Sequence, residues 1–164
     1  MPDRAEAADH ARELERRFFA EAGRRRSIRV AVRALIILDG HILLQRLAYT
    51  GSVWFFPGGE LEFGESLGAG LRRELNEELS LDVDRVIYRL AANNRFEREG
   101  VRFHLLEHYF EVTPVSTDIE SLESSVLVEW HALNSLHMLD VRPVDVRDIL
   151  DLPDWRDVRS LESE

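Results

Sequence analysis

The stretch GGELEFGESLGAGLRRELNEELSL, residues 58–81, carries the reading of the fold. Its first part ends a segment, Tyr49 to Glu65, that is rich in glycine with one proline, a loop composition, and from Ser66 to Leu79 neither proline nor a β-branched residue interrupts a helix. On that helix Glu74, Glu77 and Glu78 stand at i, i+3 and i+4, so their carboxylates project from one face within about one turn. Like charges at this spacing cost a helix a few tenths of a kcal/mol each and raise one another's pKa, a conflict that a divalent cation removes. Magnesium takes oxygen ligands and keeps several waters, so two or three carboxylates plus substrate phosphates suit it. Three glutamates on a helix are more often a solvated face. The preceding Pro57-Gly58-Gly59, which lets backbone carbonyls and amides approach an ion closely, turns the balance toward a metal site.

Outward from this stretch the pattern is mixed. Ile28, Val30 and Val32 alternate with polar residues and lead into a β-branched run, and Asp39-Gly40 offers a type I′ turn before His41 to Arg46, which reads as a β-hairpin. Val83 to Phe96 and Val101 to Val112 read as strands around a charged turn, followed by a Ser/Thr/Pro loop, a short strand Val126 to Trp130 and a final helical region. Ala7, Ala11, Leu14 and Phe18 mark one face of an N-terminal helix ended by Gly23, with Arg24 to Arg26 complementing its dipole. The expected layout is a helical extension over 1–26, one domain over 27–160 and a frayed tail over 161–164.

Composition narrows the function. At 164 residues, 45% hydrophobic and 32% charged, the chain is sized for one packed core. Its apolar runs are far short of a membrane span and its N-terminus is charged, so no membrane partner is expected. The absence of cysteine excludes thiolate metal sites and fits a reducing cytoplasm. A formal charge of −10 disfavours extended nucleic acid, whereas a small anionic ligand can bind through a metal. Every Lys/Arg position is arginine, which compositional bias explains.

The residues Gly59, Glu65, Arg73, Glu74, Leu75, Glu77, Glu78 and Leu81 resemble the box of the Nudix (MutT-like) hydrolase family: Gly, five residues, Glu, seven residues, then Arg-Glu-aliphatic-x-Glu-Glu-x-Gly-aliphatic. A chance match at these eight positions is on the order of 10⁻⁵. One position departs, Ser80 standing for the second glycine, where a left-handed helix end would cost serine roughly 1 kcal/mol.

The resemblance implies an α/β/α sandwich (α+β) with a mixed sheet, and Mg2+-dependent hydrolysis of a diphosphate bond in a nucleotide-like small molecule, Mn2+ being the alternative ion. It implies Glu74 and Glu78 as main ligands with the Gly58 carbonyl, and Glu77 as ligand or base. Arg73 would orient Glu74, while Glu65 and Gly59 would hold the loop. Some relatives take their general base from a later loop, where Glu123, then Glu120, are available. Arg46 stands where relatives often carry a phosphate-binding cation, and Trp54 and Phe56 face one side of a strand-like segment, as stacking residues or, more commonly, as core.

Neither the proline expected of ADP-ribose enzymes nor the tyrosine expected of dinucleoside polyphosphate enzymes stands about sixteen residues downstream, where Phe96 is found. A nucleoside triphosphate or nucleotide-sugar is therefore the expected substrate. The rivals are an inactive nucleotide-binding or sensor module on the same fold, and an isoprenoid diphosphate isomerase, which would want a cysteine. A homodimer through the N-terminal helix is a further expectation. His104 and His108 lie about 13 Å apart on a strand, too far to share one metal.

Overall fold

The computed structural model describes residues 26–48, 52–98, 100–123 and 125–162, with scattered positions between 9 and 21. Ala7, Ala11, Leu14 and Phe18, the expected face of the N-terminal helix, lie outside the described residues, as do Arg24 and Arg25.

Strand β1 (Arg29–Leu38) turns into β2 (His41–Leu47) through Asp39 and Gly40, whose φ values of 48° and 74° are the two positive angles a type I′ turn demands. Two short strands follow, β3 (Val53–Phe55) and β4 (Gly58–Glu60), then helix α1 (Leu67–Leu79). The long strands β5 (Val83–Arg98) and β6 (Val101–Pro114) form an antiparallel hairpin, and β7 (Val126–Ala132) comes after the loop. The expected final helical region contains a 3-10 turn (Leu133–Met138), strand β8 (Asp140–Arg142), helix α2 (Val144–Ile149), a second 3-10 turn and strand β9 (Ser160–Glu162). The tail expected from Leu161 is thus, as far as Glu162, a strand parallel to Ala91–Asn93 of β5.

The strands join in the order β8-β3-β2-β1-β6-β5-β9, with β4 on β1 and β7 on β2. Parallel β1–β6 pairing beside antiparallel β1–β4 makes the sheet mixed.

Alternation along β1 separates two cores. Val32, Ala34 and Ile36 pack with Leu71, Leu75 and Leu79 of α1, which recur every four residues as one helix stripe requires. Leu35 packs on the other side with Phe56, Tyr109, Val146 and Trp155. Helix, sheet and helix make the expected α/β/α sandwich.

Helix α1 is bounded as its sequence dictates. The Ser66 hydroxyl accepts from the Ala69 amide at 3.2 Å, an N-cap. Its end is Ser80 at φ 50° and ψ 33°, donating to the Asn76 carbonyl at 2.9 Å while Leu81 N–H reaches Leu75 O at 3.2 Å. A serine held left-handed where glycine is free of strain identifies a correctable cost. Ser80→Gly should stabilise the protein by about 1 kcal/mol and raise Tm by roughly 2–4 °C. Calorimetric melting of the two proteins checks this, and an unchanged or lower Tm would contradict it.

Candidate active site

Glycine at two positions brings the loop against the helix. Gly58 has φ 130°, and a Cβ there would lie 2.1 Å from the Val32 carbonyl oxygen, so β4 fits beside β1 only without a side chain. A Cβ on Gly59 would lie 2.3 Å from Glu74 Oε2, so the Glu74 carboxylate rests directly on this backbone. Gly70 serves the same close approach within α1, since its Cβ would meet Glu65 Oε1 and Leu61 Cδ1, each at 2.7 Å.

Arg73 gathers the acidic side chains on its flank. Its Nε donates to Glu65 Oε2 at 3.1 Å and its Nη2 to Glu65 Oε1 at 2.7 Å, a bidentate pair, while Nη2 also reaches the Glu60 carbonyl at 3.1 Å. Nη1 donates to Glu74 Oε1 at 2.8 Å and Glu77 Oε2 at 3.2 Å. These bonds, with the Glu62 amide donating to Glu65 Oε1 at 2.7 Å, hold the Glu65 carboxyl below its ordinary pKa. Arg73 is thus bonded to Glu74, and Glu65 is bonded to both Arg73 and the loop backbone.

Glu78 is treated differently. Burial pushes its pKa up to about 7, helped by the nearby charges of Glu74 and Glu123 and opposed by Arg33 and the Gly58 amide. Its Oε2 is buried and has no hydrogen-bond partner. Glu74, Glu78 and the Gly58 backbone therefore form one acidic corner.

Convergence of all three carboxylates was expected, and Glu77 departs from it. Its side chain is 61% exposed and paired with Arg73 at i,i+4, which draws it along the helix flank. Among the described residues, no three acidic or histidine side chains close into a metal cage. Two carboxylates and a backbone carbonyl still fit Mg2+, which commonly uses one or two carboxylates and retains waters.

The loop after β6 meets this corner: the Leu122 amide donates to the Glu78 carbonyl at 2.8 Å, and the charge of exposed Glu123 is felt by Glu78. Glu120 is also exposed on this loop.

Beside the corner lies a cleft of about 530 Å³, floored by Arg33, Asn94, Glu107 and Tyr109 and walled in part by Phe55 and Phe96. Phe56 lines it while also packing in the core. Trp54 and Arg46 do not: Trp54 is buried edge-on to His131 at 4.3 Å, and the Arg46 guanidinium lies over Trp54, 5.2 Å from its ring centre.

The sequence reading missed the floor. Glu107 is 3% exposed, accepting from Arg33 Nε at 3.0 Å on one oxygen and from Asn94 Nδ2 at 3.0 Å and Tyr109 OH at 3.1 Å on the other. Arg33 Nη1 in turn donates to the Gly58 carbonyl at 2.8 Å. A single acid within the apolar run Leu105 to Phe110 was the signal that something in the chain must pair with it.

Mixed sheet, acidic helix and glycine turn are the parts of a Nudix-type site. The family description "NUDIX domain" matches residues 27–151, and the chain belongs to the Nudix family. It is 32% identical over 118 residues to the CTP pyrophosphohydrolase of Escherichia coli K12, covering 70% of this chain and 84% of that protein. In fold it is similar to the MutT protein of Bacillus halodurans, with TM-score 0.64 at 20% identity, covering 76% of this chain and 81% of that one. It is similar also to the MutT NUDIX hydrolase of Burkholderia pseudomallei, with TM-score 0.59 at 24% identity, over 66% and 85% of the two chains.

The electrostatics of Glu78 give a test independent of turnover. Its carboxyl binds a proton more tightly folded, at about 7, than at the ordinary 4.5, so ionisation removes stability as pH rises between these values, and the loss is complete above 7. In the metal-free protein, the stability of Glu78→Gln relative to the parent should therefore increase by about 3 kcal/mol from pH 4.5 to pH 8. Denaturant unfolding at both pH values measures it, and a pH-independent difference would show an ordinary carboxyl.

Proposed function

We propose that the protein is a Mg2+-dependent pyrophosphohydrolase that attacks a diphosphate linkage of a nucleoside triphosphate or nucleotide-sugar with water. The observation that carries this reading is the buried, partnerless Oε2 of Glu78 beside Glu74 and the Gly58 backbone. A buried carboxylate oxygen without a donor is costly unless a proton or a cation meets it, and above pH 7 a cation must do so.

Glu74 and Glu78, with the Gly58 carbonyl, would hold the ion, and Glu77 would join as ligand or base on leaving Arg73. When bound, the cation lowers the pKa of water and neutralises charge on the diphosphate oxygens. Arg73 keeps Glu74 aimed through its 2.8 Å bond, and Glu65 fixes Arg73 from the loop side. Glu123 is the first general-base candidate because its charge already reaches Glu78, and Glu120 is the second. A new bond to phosphorus forms from the water oxygen as the bridging P–O bond breaks, leaving two phosphorylated fragments.

The cleft would take the rest of the nucleotide, with Phe55, Phe56 and Phe96 offering apolar and aromatic surface to a base or sugar. The relative that hydrolyses CTP by its name supports a nucleoside triphosphate ahead of a nucleotide-sugar. The second reading, a nucleotide-binding module without turnover, draws on the outward pose of Glu77.

A screen of nucleoside triphosphates and nucleotide-sugars with Mg2+ or Mn2+, reading released mononucleotide or phosphate, separates the two. Glu74→Gln, isosteric but uncharged, should lose metal-dependent turnover by at least about 100-fold while melting close to the parent. Undiminished turnover in that variant would refute the assignment, and nucleotide binding without turnover in the parent would favour the module.

A further inference from the structure

The Glu107 cluster touches both halves of the site through one side chain. Arg33 lines the cleft, and its guanidinium divides its bonds between Glu107, by Nε, and the Gly58 carbonyl, by Nη1. We propose that Arg33 is a positioning residue that fixes the Gly58 backbone for the cation, and that Glu107, Asn94 and Tyr109 hold Arg33 in the orientation that does so. This rests on the assignment of Glu74, Glu78 and Gly58 as the metal corner.

The geometry supports positioning over simple glue. Arg33 sits on β1, Asn94 on β5, and Glu107 and Tyr109 on β6, so three adjacent strands fix the guanidinium. The two Glu107 oxygens together accept three hydrogen bonds, which leaves that carboxylate committed to its neighbours. Burial raises the Tyr109 pKa well above its ordinary value, so its hydroxyl stays a donor. A buried ion pair is weak evidence for stability, because well-packed apolar residues often replace one without loss. What an apolar pair cannot supply is a donor to the Gly58 carbonyl.

The test measures Mn2+ binding to the full-length protein by calorimetry at pH 8 without nucleotide, together with Tm. Arg33→Met strands the Glu107 charge and should lower both. The double variant Arg33→Met/Glu107→Met removes that charge and should regain much of the lost Tm. If Arg33 positions the metal corner, Mn2+ affinity stays roughly 10- to 100-fold below the parent in both variants, the range seen when a partner behind a metal ligand is lost. Parental Mn2+ affinity in both variants would overturn the inference and leave the metal site standing. So would recovery of affinity together with Tm in the double variant. A parent protein that binds no Mn2+ would overturn the metal site itself, and this inference with it.

Discussion

Four glutamates, Glu65, Glu74, Glu77 and Glu78, crowd one loop and the last turns of one helix, and the guanidinium of Arg73 makes that density tolerable. Its planar fork reaches Glu65, Glu74 and Glu77 at once, which a lysine ammonium could not do with the same geometry. Arg73 does not reach Glu78. The negative charge it leaves unmet is therefore concentrated where Glu74 and Glu78 face the Gly58 backbone, and the helix is neutralised on one flank and left acidic on the other.

Strand β1 decides where that corner lies. Its edge accepts β4 in the register Arg33↔Gly58, and this pairing lays the glycine turn against α1. The same strand sends Val32, Ala34 and Ile36 to the helix and Leu35 to the opposite core. A change of β4 register that brought Pro57 to the place of Gly58 would set a side chain against the Val32 carbonyl, so steric exclusion helps set the alignment in that direction.

The legible parts of this structure are those in which cause and effect are close in sequence. Asp39-Gly40 specifies its turn by two residues, Ser66 caps α1 across three, and the strain foreseen at Ser80 is present because the chain must leave the helix there. The Arg33–Glu107 pair spans 74 positions, and only the β1–β6 pairing brings it together. Strands β8 and β9 have three residues each, too few for a periodicity, and exist because β3 and β5 offer them edges. Glu77 was placed by helical spacing on the metal face, but spacing fixes only the Cα–Cβ direction, and the long side chain followed Arg73. Trp54 was open to either use, and burial against His131 settles it as core.

The acidic corner and the cleft consequently reside in different elements. The acidic corner is built almost wholly from residues 58–81, a single stretch of loop and helix. The cleft is assembled from β1, β3, β5, β6 and the segment around Pro143, with β5 contributing the longest stretch of its wall, from Asn94 to Arg98. Substitutions there would change shape and hydrogen bonding without touching the carboxylates of the corner. Arg33 is the exception, because it belongs to both. A change at this position made to suit a new ligand would also disturb the glycine turn, so adaptation of this cleft is freest at Phe55, Phe96 and Pro143 and most constrained at its polar floor.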